Sequence, residues 1–326
     1  MKKILATILA LVMAIGVTTM AWATETAGET VAKVGETEYA TLQEAVNAAD
    51  GKTVQLLQDV TASITIESGK TVTLDLNGKT LTNEDGQHTI TNNGTLTIVD
   101  TSAAKSGTVD NVIHAKGAIV NYGVTVLNGG TFKRSQEKGT YSPYGNGGNS
   151  WYTIANYGKM EINAGVTVYN NGGYSSMICN VGEGPDASTL TINGGTFSGG
   201  VNTVKNDGGG VLVVNGGNFS NTAQYVIMNW HKTTINNGTF KTLNTAKAVL
   251  FTSNYNGEAN AAASAGELTI TGGTFKRATD TQKMIVDAYD ANNTGTASIS
   301  GGTFDADVSQ YLESGKQQNA DGSVGN

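Results

Sequence analysis

The stretch "LTINGGTF", residues 190–197, is one of six near-copies of a short motif in this 326-residue chain. The other copies are "VLNGGTF" at 126–132, "VVNGGNF" at 213–219, "TINNGTF" at 234–240, "LTITGGTF" at 268–275 and "SISGGTF" at 298–304. Each copy combines alternating apolar residues, two small turn residues and a phenylalanine. The motif therefore predicts a short strand, a tight turn and an inward-pointing ring.

The copies recur at a basic period close to 22 residues. Phe197 and Phe219 are separated by 22 residues, and Phe219 and Phe240 by 21. The longer intervals elsewhere contain insertions. Such a period is typical of a solenoid, in which each repeat buries its apolar face only by stacking on its neighbours. The phenylalanines in this register are Phe132, Phe197, Phe219, Phe240, Phe275 and Phe304, and Val168 takes the same position in one further repeat.

A second register, apolar-x-Asn, lies upstream of each phenylalanine. Asparagine fills its third position in six of eight copies, at Asn92, Asn121, Asn156, Asn180, Asn206 and Asn229. Stacked side-chain amides would bond each other and satisfy polar groups inside a turn. The two registers together predict an all-β, right-handed parallel β-helix with an internal phenylalanine column and an internal asparagine ladder. The L-x-x-L-x-L spacing of leucine-rich repeats is absent.

The N-terminus has the pattern of a secretory signal peptide over residues 1–23. Lys2 and Lys3 precede an apolar run from Ile4 to Val17, and Ala21-Trp22-Ala23 is a small-x-small cleavage site. Its removal takes the formal charge from −7 to −9. An acidic mature chain is a poor partner for nucleic acid or anionic lipid. We expect a secreted protein, extracellular or loosely associated with the cell surface, with no membrane insertion after signal removal.

We expect residues 24–326 to form a single β-helix domain, and a monomer. Residues 31–53 supply an N-terminal strand and a capping helix, residues 54–304 the rungs, and residues 305–326 a C-terminal cap and tail. The helix is predicted within "ATLQEAVNAADG" at 40–51, where Thr41 and Glu44 fit a capping box. Its apolar face would plug the open end of the solenoid, whose strand edges need cover.

These residues resemble a family of proteins. "VAKVGETEYATLQEAVNAADGKTVQLLQDVT", "GKTVTLDLNGKTLTN" and the closing "GGTFDADVSQYLESG" are similar to secreted or surface β-helix proteins of gut Firmicutes, which are Gram-positive bacteria, and their fold is like that of the pectin lyase superfamily. The resemblance implies the fold, and it implies an adhesin-like role of the kind commonly assigned to such proteins. Superfamily enzymes are polysaccharide lyases or hydrolases, which makes an enzyme the alternative.

Residues for such catalysis are sparse in the chain. A hydrolase needs paired carboxylates, and a Ca²⁺ site needs several carboxylate oxygens. The two arginines, Arg134 and Arg277, share a repeat register several rungs apart, and we interpret both as solvated corner residues. Asp287, Asp290 and Asp305 are the best candidates for an acidic patch. We therefore predict no catalytic residue, no metal and no cofactor.

The remaining reactive side chains also lack a catalytic pattern. The three histidines, His88, His114 and His231, do not form a ligand-like pair. The single cysteine, Cys179, excludes an internal disulfide, and we interpret it as a small buried apolar residue.

Two aromatic groups are candidates for ligand binding. Tyr122, Tyr157 and Trp230 each follow a ladder asparagine, so they either present rings along one flank or shield the corner beneath the insertions. The insertion at 134–152 carries four more aromatic residues among Gly, Asn and Ser, a mixture common in binding loops. These four residues are Tyr141, Tyr144, Trp151 and Tyr152.

Three functions follow from this sequence. The first is a non-catalytic, adhesin-like protein that binds a glycan or a host or bacterial surface protein through the insertions and the exposed flank. The second is a polysaccharide lyase or glycoside hydrolase, and the third is a structural spacer.

Overall fold

A computed structural model describes residues 29–113, 115–135, 151–170, 175–182, 184, 186–243, 245–254 and 264–326. These residues form a right-handed parallel β-helix, so the predicted fold is confirmed. Each turn of the chain contributes one strand to each of three long sheets, and each strand pairs with its counterparts in the previous and next turns. Residues 1–28, which contain the predicted signal peptide, lie outside the described part.

The first sheet, sheet 1, begins with an antiparallel hairpin and continues with parallel strands. Its strands are Ala32–Val34, Thr37–Tyr39, Lys52–Leu56, Thr71–Asp75, Thr95–Val99, Val124–Leu127, Lys159–Ile162, Ser188–Ile192, Gly210–Val214, Lys232–Ile235, Glu267–Ile270 and Thr296–Ile299. These strands contain the apolar-x-apolar part of each repeat.

Sheets 2 and 3 complete each turn. Sheet 2 consists of Val60–Thr61, Thr80–Thr82, Thr108–Asp110, Gly130–Arg134, Val166–Asn170, Thr196–Gly199, Asn218–Asn221, Thr239–Thr242, Thr274–Lys276 and Thr303–Phe304. Sheet 3 consists of Ile64–Ile66, Ile90–Asn92, Ile119–Asn121, Ile154–Asn156, Ile178–Asn180, Asn202–Asn206, Tyr225–Asn229, Ala248–Thr252 and Lys283–Val286. Apolar side chains of all three sheets meet in one continuous core.

The turn between sheets 1 and 2 explains the Gly-Gly pair. The second glycine has a positive φ, for example +112° at Gly195 and +113° at Gly217. A Cβ at Gly195 would lie 2.9 Å from the ring of Phe197. Glycine is therefore required for both the backbone conformation and the space that the ring occupies.

The phenylalanine positions form a stacked internal column. Ring centroids are 4.6 Å apart between Phe197 and Phe219, 4.8 Å between Phe219 and Phe240, and 4.6 Å between Phe275 and Phe304. The paired rings are nearly parallel and the residues are buried. Phe132 lies in the same register but is separated from Phe197 by Val168.

The asparagine register forms a buried ladder. Each Nδ2 donates to the Oδ1 of the next rung, with distances of 2.7 Å from Asn156 to Asn180 and 2.9 Å from Asn180 to Asn206. The amides also donate to backbone carbonyls of sheet 1, as Asn180 does to Val211 at 3.2 Å. The ladder runs from Asn92 to Asn229 and ends on the hydroxyl of Thr252 at 3.0 Å.

A second asparagine ladder lies on the outside, at the residue that precedes the Gly-Gly turn. Here each Nδ2 donates to the previous rung, and each N–O distance is 2.8 Å. Its members are Asn128, Asn163, Asn193, Asn215 and Asn236, and the hydroxyl of Thr271 continues the row.

Both ends of the solenoid are covered. The N-terminal helix spans Leu42–Ala48, and the Thr41 hydroxyl accepts from the Glu44 amide at 3.3 Å. The side-chain amide of Gln43 both donates to and accepts from the backbone of Thr65, so it pairs with the first strand of sheet 3. At the other end, the 3₁₀ turn Ser309–Tyr311 and the hairpin of Gln317–Gln318 with Val324–Gly325 lie against the last rung.

Among the described residues, no helix is long and apolar enough to cross a membrane.

Candidate functional site

Two tyrosines, one exposed and one partly buried, stack at the corner between sheets 3 and 1. Tyr122 and Tyr157 each follow a ladder asparagine, and the paired strands bring them onto adjacent rungs. Their ring centroids are 4.9 Å apart at an interplanar angle of 19°. Tyr122 is 54% exposed to solvent. We call these two residues the tyrosine platform.

A repeated "NYG" sequence, at 121–123 and 156–158, builds the platform. The backbone amides of Tyr122 and Tyr157 donate to Asn92 and Asn121 of the preceding rungs, at 2.8 and 2.7 Å. A Cβ at Gly158 would lie 2.2 Å from the Gly123 carbonyl oxygen, so only glycine allows the two turns to stack this closely. From this repeated triplet, the stacking of the two tyrosines could have been predicted.

An ion pair lies on the second rung beyond Tyr157. Lys205 Nζ contacts Asp207 Oδ2 at 2.9 Å, and both side chains are about four-fifths buried. The alternation of "VKND" places them on one face of a strand. The sequence analysis did not predict this pair.

Tyr152 packs against Trp151, with ring centroids 5.7 Å apart. Its hydroxyl bonds Cys179, and its surroundings include Tyr157 and Asp207. The Cys179 thiol and burial raise the pKa of Tyr152 well above its usual range. Burial raises the pKa of the Cys179 thiol to about 12, so the thiol stays protonated at neutral pH. This pair is therefore a packing contact and not a nucleophilic site.

Trp151 lies further toward the N-terminal rungs, where its ring is 5.4 Å from that of His88. Its carbonyl accepts from the guanidinium of Arg134 at 2.9 Å, and the Ile113 carbonyl accepts from the same group at 3.2 Å. Arg134 is only 2% exposed. Our interpretation of Arg134 and Arg277 as solvated corner residues was wrong. The Arg134 guanidinium is buried on two backbone carbonyls, and the Arg277 side chain is 14% exposed and pairs with Asp305.

Trp230 does not join the platform. It is 7% exposed and packs edge-on against Phe251, with centroids 4.8 Å apart, in a separate cluster with Tyr225 and Ala248. Tyr289, also 54% exposed, lies 5.8 Å from Trp230. The flank therefore has an accessible aromatic segment at Tyr122 and Tyr157 and a closed one at Trp230.

The insertion at 181–188 is held between these two segments. Asp186 Oδ1 lies 3.0 Å from His231 Nε2 and 3.1 Å from Lys232 Nζ, 45 and 46 residues further along the chain. His231 is buried. The hydrogen bonds that His231 and Lys232 make to Asp186 lower the pKa of the Asp186 carboxyl. Asp186 also has a φ of +55°, a conformation that Asp tolerates. We call these three residues the loop clamp.

The candidate acidic patch does not form a joint site. Asp287 accepts from the Tyr311 hydroxyl at 3.1 Å, and Asp290 accepts from the amides of its own turn. Asp305 binds Arg277 at 3.1 Å, which holds that arginine against the last rung. No group of three or more His, Cys, Asp or Glu residues able to hold a metal occurs in the described ranges.

Of the seven predicted ligand-binding residues, the structure stacks Tyr122 on Tyr157. Tyr152 packs against Trp151, Trp230 lies in its own buried cluster, and Tyr141 and Tyr144 fall outside the described residues. Stacked tyrosine rings can contact a flat, hydroxyl-rich ligand through their apolar faces. No family model, no curated protein and no solved structure matches this chain.

Proposed function

We propose that the protein is a secreted, non-catalytic β-helix protein, adhesin-like, that binds glycans at the tyrosine platform. The observation that carries the proposal is the stack of the exposed Tyr122 on the partly buried Tyr157, with ring centroids 4.9 Å apart. A large aromatic face that remains exposed in a monomeric protein is a frequent mark of a recognition surface.

The two faces of a hexose support a sugar ligand. A hexose ring has an apolar face and a rim of hydroxyls, so it combines well with an aromatic ring and with hydrogen-bonding groups. Lys205 and Asp207 form a polar pair two rungs beyond Tyr157, 2.9 Å from each other. The pair has no net charge, which favours hydroxyl recognition over binding of one highly charged polymer.

The secreted location and the kinship to surface β-helix proteins with a pectin lyase-like fold are part of the same proposal. Their support is the signal-like sequence of residues 1–23 and the resemblance of the repeats. An extracellular protein of this kind would meet host or bacterial glycans directly.

The test is retention on immobilised pectin, alginate, mucin glycans and glycosaminoglycans, with residues 24–326 as the protein. Tyr122→Ala should weaken retention on the bound glycan about tenfold or more, since truncation of an anchoring aromatic typically costs more than 1 kcal/mol. Tyr289→Ala is the matched control, because Tyr289 has the same 54% exposure outside the platform.

Two outcomes would contradict the proposal. Unchanged retention of Tyr122→Ala on a glycan that the wild type binds would remove the platform as the site. Release of new reducing ends or unsaturated products from any polysaccharide of the panel would show that the protein is an enzyme and not a non-catalytic binding protein.

A further inference from the structure

We propose that Asn237 is a site of spontaneous deamidation, and that the outer asparagine ladder protects its own members from the same reaction. The inference does not depend on glycan binding. It follows from where the Asn-Gly pairs of the sequence lie in the fold and from the hydrogen bonds that hold each of them.

Deamidation of an asparagine uses only the chain itself and water. The backbone nitrogen of the next residue attacks the side-chain carbon Cγ. The new N–Cγ bond replaces the Cγ–Nδ2 bond, and Nδ2 leaves as ammonia with the proton of that backbone amide. Water then opens the resulting succinimide ring to aspartate or isoaspartate. Asparagine is a thermolabile residue, and a following glycine, which has no Cβ, lets its nitrogen approach Cγ most freely.

The sequence alone does not single out one site, because six Asn-Gly pairs lie in the described part of the chain. In the first two pairs, another side chain binds the glycine amide. The Gly78 amide donates to Asp100 Oδ1 at 2.9 Å, and the Gly94 amide donates to Asn92 Oδ1 at 3.1 Å. Both nitrogens are therefore directed away from the carbon that they would attack. The six pairs begin at Asn77, Asn93, Asn128, Asn193, Asn215 and Asn237.

The outer ladder holds two further pairs by their side chains. Asn215 Nδ2 donates to Asn193 Oδ1, and Asn215 Oδ1 accepts from Asn236 Nδ2, each at 2.8 Å. Asn193 is bonded in the same way to Asn163 and to Asn215. Cγ can meet the following nitrogen only if the side-chain amide rotates out of the row, which breaks these bonds. The ladder therefore raises the barrier to deamidation at Asn193 and Asn215.

Asn237 lies one position beyond the ladder, whose place on this rung is taken by Asn236. The strand registers align Asn237 with Gly216 on the rung before and Gly272 on the rung after. Its side chain is exposed, and its Oδ1 accepts from the Gly238 amide at 2.8 Å. The nitrogen that would attack therefore already contacts the side-chain amide of Asn237. The product carries a carboxylate, so the reaction adds a negative charge at this corner.

The experiment is an ageing series of residues 24–326 in mildly alkaline buffer. Peptide mass spectrometry measures aspartate and isoaspartate at each described Asn-Gly pair over several weeks. We expect Asn237 to convert about tenfold faster than Asn193 and Asn215, or more, since a barrier difference of about 1.4 kcal/mol gives that factor. Equal rates at the three sites, or no conversion at Asn237, would overturn the assignment of Asn237.

Variants of the ladder test the protection. Asn193→Ala and Asn236→Ala each remove one hydrogen bond from the Asn215 side chain, so each should speed deamidation of Asn215 severalfold. Asn163→Ala is the matched control, because Asn163 bonds Asn193 and Asn128 in the row and leaves both bonds of Asn215 in place. An unchanged rate at Asn215 in folded Asn193→Ala and Asn236→Ala would overturn the protective role of the ladder.

Discussion

The aromatic column inside the β-helix and the tyrosine platform outside it have nearly the same geometry. Phe197 and Phe219 stack at 4.6 Å and 11°, and Tyr122 and Tyr157 stack at 4.9 Å and 19°. Both separations follow from the distance between parallel rungs, about 4.8 Å. The phenylalanines are buried, whereas Tyr122 is 54% exposed. The side of the backbone therefore decides whether a stack stabilises the fold or remains available for recognition.

The largest expected effect on stability is at the internal column. Phe219→Ala removes a ring that stacks on both Phe197 and Phe240, and truncation of a buried Phe typically costs about 3–5 kcal/mol. Tyr122→Ala should change the free energy of unfolding by about 0.5 kcal/mol or less, as expected for a surface position. Urea unfolding of both variants measures this difference. Equal losses would contradict the division into a structural and an exposed stack.

The two asparagine ladders give the same comparison for polar groups. Asn180→Ala removes one of the three acceptors of Asn156 Nδ2 and leaves the buried Asn206 Oδ1 without its donor from the preceding rung. Each unsatisfied buried group costs about 1–3 kcal/mol.

Asn193→Ala interrupts the outer ladder, where water replaces the lost partner, so its cost should be about 0.5 kcal/mol or less. The difference between the two midpoints of urea unfolding measures the effect of burial. If Asn193→Ala lost as much unfolding free energy as Asn180→Ala, the outer ladder would stabilise the fold as much as the buried one does.

The last prediction is a dependence of stability on pH, which we assign to His88, whose ring contacts Trp151. Burial lowers the pKa of His88 from its usual 6.5 to about 4, and its Nδ1 accepts from the Gly117 amide at 2.9 Å. The folded chain therefore keeps the imidazole neutral, while the unfolded chain takes up a proton below pH 6.5. Stability present above pH 6.5 should fall as the pH drops toward about 4.

His88→Gln keeps an acceptor for the Gly117 amide and does not titrate. It should flatten the dependence of the unfolding midpoint on pH over this interval, as followed by tryptophan fluorescence. A slope identical to that of the wild type would contradict the assignment to His88.

The repeat register was sufficient to predict the fold. A residue type that recurs at one position, such as Phe219 or Asn180, must stack on its own copies in any solenoid, so sequence spacing translates directly into contacts. The paired corner tyrosines were also accessible to this reasoning through the repeated "NYG".

Contacts that cross rungs without repeating were not predictable. The bond from Asp186 to His231 joins an insertion to a later turn, and Arg134 bonds the Trp151 and Ile113 carbonyls, which lie in no repeat register. The outer ladder was missed for another reason. Its asparagines precede Gly-Gly, a context in which Asn is expected from turn preference alone.

Tyrosine footprinting tests the recognition surface most directly. The wild-type protein is treated with a tyrosine-modifying reagent with and without the glycan that it retains, and modification is quantified at each site by mass spectrometry. We predict protection of Tyr122 and Tyr157 by the glycan, with Tyr289 modified at the same rate in both samples. Protection at Tyr289 alone, or no protection at Tyr122, would contradict a binding surface at the tyrosine platform.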